Sequence, residues 1–441
     1  MKEDSDNPRL NHFVPEKTYL EINDNGYLEF DKVDCVELAK EFGTPLYVMS
    51  EKKIRENYQT IYSQFNHEYN MSQIAYAYKA NPTMAALRIL QEEGALAEVI
   101  STGELFLAFS LGYKGQDIIF NGCNKDEKGI KLAIDLGALI NVDSFKELEI
   151  IEKIAGKMNK KARIGIRINP VVKTGTLNVW ETALENSKFG ITLEKGINAY
   201  KKAQKMNNVK IVGIHTHIGS QVENVKSYKT ATARIMDFIH DLKELGIEIS
   251  VVDLGGGIAV PFRYKDVPPV DEFANAIGNT LKAKIDEHGL ENPTLVMEPG
   301  GGIIGTTTIL LLTVGMIKRE ESTKKWAMVD GGANINLRAT QQWYTYQCFC
   351  CNKMKKKEKE RINIAGPLCY AGDVLAHKRE LPILEKGDII AFLDCGAYTM
   401  AILNRYNSYP LPAAVMLTEK RARVIKRREV FTDLLSGENF L

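Results

Sequence analysis

The chain of 441 residues has no apolar run approaching the 18 or more residues of a membrane-spanning helix. Its most apolar segment, residues 303–315, is short and carries four threonines. Net charge is almost absent: 57 Lys and Arg against 56 Asp and Glu leave +1, so overall charge gives no footprint for nucleic acid. Cysteines are few and odd in number, seven, which argues against a disulfide scaffold and for a reducing cytoplasm. Cys348, Cys350 and Cys351 cluster, but no His or Cys pair at zinc spacing stands nearby, and no metal is expected. The first residues, Met1-Lys2-Glu3-Asp4-Ser5, are acidic and polar, unlike a secretory signal. With 44% hydrophobic and 26% charged residues, what remains is a soluble globular chain rather than a disordered, collagen-like or coiled-coil one.

Residues 1–44 read as a polar arm followed by short strands. Tyr19-Leu20-Glu21-Ile22 and Tyr27-Leu28-Glu29-Phe30 alternate apolar with polar around Asn23-Asp24-Asn25-Gly26, a hairpin pattern. From about residue 45 short apolar runs alternate with longer helical stretches. The runs are 45–49, 74–78, 97–100, 117–120, 138–142, 162–167, 211–215, 249–253 and 294–298. Between two of them Met84, Leu87 and Leu90 recur at threefold spacing and Gly94 marks a stop. This alternation predicts a (β/α)8 barrel over 45–299, with a doubly wound sheet as the competing arrangement. After about residue 300 helical patterns thin out, and 329–332, 361–366 and 388–393 read as strands. Residues 300–441 are therefore expected to form a β-sandwich or β-barrel domain that the N-terminal strands complete. The basic run 353–361 reads as a solvated loop or hairpin tip.

In a barrel, chemistry sits where strands end. Lys79 ends one apolar run; His215 and His217 end another, followed by Gly219 and Ser220; Asp253 precedes Gly255-Gly256-Gly257; Glu298 precedes Pro299-Gly300-Gly301. A lysine, an acid, an imidazole and bare glycine N–H groups on one rim suit pyridoxal phosphate. The aldehyde needs a lysine, the pyridine nitrogen a carboxylate, the ring face a flat partner, and the phosphate unobstructed donors. A metal-dependent barrel hydrolase would want several carboxylates or histidines together, and this rim shows too few.

The chain resembles the fold-type III pyridoxal phosphate-dependent decarboxylases, in the branch of the diaminopimelate decarboxylases. The resemblance is carried by Tyr76-Ala77-Tyr78-Lys79-Ala80-Asn81, Glu98-Val99-Ile100-Ser101-Thr102-Gly103-Glu104-Leu105 and Ser187-Lys188-Phe189-Gly190. It continues through His215-Thr216-His217-Ile218-Gly219-Ser220-Gln221, the Asp253 and Glu298 segments, Gly366-Pro367-Leu368-Cys369 with Asp373, and Gly396-Ala397-Tyr398. It implies that Lys79 joins the cofactor, that Glu298 faces the pyridine nitrogen and that His217 stacks on the ring. It places Ser220, Gly255, Gly256, Gly257, Gly300 and Tyr398 at the phosphate. It further implies a homodimer in which Cys369 and Tyr398 reach the partner's site, with Cys369 donating a proton once CO2 has left. An amino acid is the expected substrate, nominally meso-diaminopimelate yielding L-lysine, and neither nucleic acid nor membrane is an expected partner.

The chain departs from that pattern at three places. Gly301 stands where the family has arginine, Tyr370 where diaminopimelate decarboxylases have glutamate, and Gln342 where they have tyrosine; Arg338 keeps the arginine of that last segment. Arg338, Tyr370, Asp373 and Gln342 are thus the candidate substrate-binding residues. Fewer complementary charges predict a weaker hold on the distal end of diaminopimelate. A different basic or conjugated amino acid, such as D-ornithine or D-lysine, is the alternative substrate. Two other classes stand beside this reading. A racemase on the same barrel would place an arginine where Glu298 is. A non-catalytic cofactor-binding homologue would fit the missing arginine but not the presence of both Lys79 and Cys369.

Overall fold

The computed structural model of the protein describes residues 19–260, 267–319, 325–341, 344–419 and 421–439. They fall into two compact units, one built from Arg55–Val260 with Val267–Ile303, the other from the chain up to Ile54 and from Ile304 onward.

The first unit is a closed barrel of eight strands: β1 Ser72–Ala77, β2 Leu96–Val99, β3 Ile118–Phe120, β4 Leu139–Val142, β5 Ala162–Asn169, β6 Val209–His215, β7 Val251–Asp253 and β8 Thr294–Met297. All neighbouring pairs are parallel, β4 joins β5 with Ile140 opposite Ile164, and β8 joins β1 with Val296 opposite Gln73. Closure excludes the doubly wound sheet, which would leave two unpaired edges. The strands are buried almost throughout, which is why they read as continuous apolar runs rather than alternating ones. Side-chain caps start the helices that follow β2, β3 and β4: Ser101 accepts from Glu104 N, Asp126 from Gly129 N and Ser144 from Glu147 N. Each such cap contributes about 1 kcal/mol and fixes where a strand-end loop turns.

The second unit is a mixed sheet of nine strands. Its central strand, Thr308–Lys318, pairs antiparallel with Leu46–Ser50, Ile389–Phe392 and Trp326–Val329. The apolar run at 45–49, placed by periodicity at the start of the barrel, thus belongs to this sheet, where it also lies parallel to Ala413–Thr418. Periodicity identifies a strand but not the sheet that receives it. The N-terminal hairpin forms as expected, Leu20–Ile22 against Leu28–Phe30. Leu20, Leu28 and Phe30 pack into one core with Leu46, Val48, Leu311, Phe349 and Val415. The clustered thiols lie here: Cys348 and Cys350 in the strand Cys348–Cys350, Cys351 just after it, all buried and pushed up in pKa by that burial. Among the described residues no helix is long and apolar enough to cross a membrane.

Candidate active site

Every strand of the barrel delivers a polar residue to its C-terminal end. Lys79 lies in the one-turn helix Tyr78–Ala80 directly after β1, Glu98 is the penultimate residue of β2, and Asn121 follows β3. Asn141 lies within β4, Arg167 within β5, His215 ends β6, Asp253 ends β7 and Glu298 follows β8. All but Lys79 are buried, at 9% exposure or less. A buried polar group must find a partner, and these find one another.

Lys79 Nζ lies 2.5 Å from Glu98 Oε2. Glu98 Oε1 accepts from Asn121 Nδ2 at 3.0 Å, and the same nitrogen donates to Glu298 Oε1 at 2.6 Å. Glu298 Oε2 faces His215 Nε2 at 3.4 Å. Burial pushes Glu98 up to about 7; the Lys79 charge moderates that rise and Glu298 adds to it. Burial also opposes the charge on Glu298, but His215, Lys79 and Asp253 outweigh it and hold the carboxyl well below the usual range. Burial, reinforced by Glu298, drives Asp253 far above its ordinary value, so Asp253 keeps its proton beside the Glu298 anion. Burial lowers His215, against the pull of Glu298. This network therefore joins a firmly ionised carboxylate to an ammonium through a chain of hydrogen bonds.

His217 is half-buried, and its Nδ1 accepts the Gly256 N–H at 3.1 Å. Burial, then the charges of Arg167 and Lys79, keep it well below its ordinary pKa, so it offers a neutral ring. The glycine loop needs its glycines. A Cβ on Gly256 would lie 2.0 Å from the Glu298 carbonyl oxygen, and one on Gly257, at φ +94°, 1.8 Å from that of Gly219. The backbone can approach a ligand closely only without those atoms. Tyr228 fixes the loop from behind by donating to the Gly256 carbonyl at 2.8 Å. Ser220 sits on the adjoining turn, its N–H bonded to Trp180 O at 2.9 Å, and Val222 N reaches Gly257 O at 2.9 Å. Gly300 packs beside the lysine turn: a Cβ there would meet those of Ala80 and Ala77 at 2.9 and 3.1 Å. Lys79, His217, Ser220, Gly255, Gly256, Gly257, Glu298 and Gly300 thus share the C-terminal end of one barrel.

The other candidates belong to the second unit. Arg338 is buried, its guanidinium 3.7 Å from the Tyr344 ring centroid and 4.8 Å from that of Tyr398, and it donates to Ala397 O at 3.1 Å. Cys369 is exposed, and its N–H is held by Asn407 Oδ1 at 2.9 Å; Tyr370 is 53% exposed. Asp373 has a scaffolding task, accepting the N–H groups of Ala333 at 2.6 Å and Leu368 at 2.8 Å. Gln342 lies outside the described residues.

Sequence reasoning assigned no part to Glu98, Asn121, Asn141 and Arg167, and it undercounted the acids. The nearest ligand atoms of His215, Asp253 and Glu298 lie within 4.8 Å of one another, so the rim does bring together three groups that could hold a metal ion. What favours pyridoxal phosphate is the ammonium of Lys79 within the same network, together with the glycine loop. The available signal was a polar residue in each apolar run, read strand by strand.

A family model, the pyridoxal-binding domain of pyridoxal-dependent decarboxylases, matches residues 51–305. The diaminopimelate decarboxylase of Methanothermobacter thermautotrophicus is 37% identical over 422 residues, covering 95% of this chain and 97% of that protein. That of Methanocaldococcus jannaschii is 39% identical over 428 residues, covering 95% and 96%. The crystal structure of the M. jannaschii enzyme in complex with L-lysine superposes with a TM-score of 0.90 at 37% identity, covering 97% of this chain and 99% of that one. The chain belongs to the diaminopimelate decarboxylase family of fold-type III pyridoxal phosphate-dependent decarboxylases.

Proposed function

We propose that the protein converts meso-diaminopimelate to L-lysine and CO2. The observation that carries the reading is the hydrogen-bonded chain linking the Lys79 ammonium, through the buried Glu98 and Asn121, to the ionised Glu298. When bound, pyridoxal phosphate supplies an electron sink for the pair left on Cα as CO2 departs. Lys79 holds the aldehyde end, Glu298 presents a fixed anion to the ring nitrogen, and the neutral ring of His217 offers a stacking face. The loop of Gly255, Gly256 and Gly257, with Ser220 and Gly300, provides backbone approach for the phosphate. Arg338, buried between aromatic rings, is the positive group offered to the distal carboxylate, and Cys369 carries the proton destined for Cα. The full-length relatives favour meso-diaminopimelate over the D-ornithine or D-lysine alternative. Purified protein loaded with pyridoxal phosphate is expected to release CO2 and L-lysine in equal amounts from meso-diaminopimelate. No lysine at millimolar substrate would contradict the proposal.

Two further outcomes follow. Gly257→Ala is expected to weaken pyridoxal phosphate binding at least about tenfold, since the added methyl meets a carbonyl and the backbone is left-handed there. Titration of the cofactor-free protein measures this; an unchanged affinity would show that the loop tolerates a side chain. The second concerns assembly. Cys369 is exposed on its own unit, which suits service in a partner's site. Mixing inactive Lys79→Ala and inactive Cys369→Ala chains is expected to restore up to about a quarter of wild-type activity, because only one site of each mixed symmetric dimer is whole. Absence of recovery after verified subunit exchange would contradict shared sites.

A further inference from the structure

Glu98 comes from β2 and Glu298 from the end of β8, the two strands that flank β1, and one nitrogen binds both. Two buried carboxylates close together repel each other, which raises the pKa of one of them, as it does for Glu98. Asn121 bridges the pair. Its Nδ2 has two protons, and each has its own acceptor, Glu298 Oε1 at 2.6 Å and Glu98 Oε1 at 3.0 Å. The amide cannot be turned over without aiming a carbonyl oxygen at two acids. Its orientation is also locked from behind, because Oδ1 accepts Asn141 Nδ2 at 2.8 Å. β5 makes room for that second amide: a Cβ on Gly165 would lie 2.3 Å from Asn141 Oδ1. Asn121 and Asn141 are 5% and 2% exposed, so solvent does not substitute for either.

We propose that Asn121 is a positioning residue of the decarboxylation site, whose side-chain amide ties the carboxylate serving the ring nitrogen to the carboxylate serving Lys79. It acts through Glu298 and Glu98. The inference rests on the reading of the barrel rim given above, and its consequence is that the two ends of the cofactor site are set by one amide.

Two variants test it. Asn121→Ala removes both donors. Asn121→Asp keeps the shape but, when ionised, donates nothing and adds a third negative charge; when protonated it regains one donor. Cofactor-free protein is titrated with pyridoxal phosphate at about pH 8 and about pH 6, and kcat and KM are measured on the loaded enzyme at both. Asn121→Ala is expected to weaken cofactor binding and lower kcat about tenfold each at both pH values, with KM within about threefold. Relative to wild type at the same pH, which cancels the titration of Glu98 near 7, Asn121→Asp is expected to lose about a hundredfold in kcat and in cofactor affinity at the higher pH and to recover about tenfold of each at the lower. A merely structural role would give equal losses for the two variants with no such recovery. That result, or cofactor affinity and kcat within about twofold of wild type, would overturn the proposal. Asn121→Ser retains one donor and stands in if Asn121→Asp does not fold: an effect smaller than that of Asn121→Ala supports the proposal, and an equal one contradicts it. Wild-type CO2 release is recorded first. Its absence would count against the proposed activity, whereas the cofactor titrations still report on Asn121.

Discussion

The Lys79→Ala protein is expected to stay colourless after incubation with pyridoxal phosphate, where the wild type turns yellow, and to lose decarboxylation by roughly a thousandfold or more. Lys79 is the ammonium at the barrel rim, 2.5 Å from a fully buried carboxylate, in a turn set directly on β1. Its removal leaves Glu98 without its cation, but that carboxyl, already raised to about 7 by burial, is able to take up a proton instead. The fold is therefore expected to survive, and the loss to be chemical. Borohydride treatment of the wild type followed by peptide mapping locates the attachment directly. A pyridoxyl group on any other lysine would sink the assignment.

Glu298→Gln is the second large effect. The substitution keeps the shape and hydrogen-bonding reach of the side chain but removes a carboxylate that its neighbours hold firmly ionised. The anion that balances the ring nitrogen is lost where charge develops, and kcat is expected to fall about 100- to 1000-fold with KM little changed. Because His215, Lys79 and Asp253 hold the native carboxyl well below its usual range, it stays charged from weakly acid to alkaline pH. The ratio of wild-type to variant kcat is therefore expected to be flat across about pH 6 to 9. A loss under about tenfold, or one that vanishes at the acid end, would show that the charge on Glu298 is not what the site uses.

The barrel was legible because parallel strands buried on both faces write themselves as short apolar runs between amphipathic helices. The run at 45–49 has the same signature, and only strand pairing reveals that it completes a different sheet. Lys79, His217, Glu298 and the three glycines stood out because each interrupts or follows an apolar run with chemistry that a core does not need. Glu98 and Asn121 did not, since a single buried polar residue inside or just past a strand looks like an ordinary satisfied one. Their meaning lies in distances across the barrel between residues 177 positions apart, such as Asn121 and Glu298, which no local pattern encodes. Asp373 shows the reverse: a motif residue whose carboxylate accepts backbone N–H groups.

The three substitutions at Gly301, Gln342 and Tyr370 suggested a weakened grip on a dibasic, dicarboxylic substrate, whereas full-length relatives are diaminopimelate decarboxylases. Steady-state kinetics of the loaded wild-type enzyme on a panel of meso-, D- and L-diamino acids decides between them most directly. The kcat/KM on meso-diaminopimelate is expected to exceed that on every other member, with L-lysine as product. A higher kcat/KM on D-ornithine, D-lysine or another diamino acid would contradict the proposed activity.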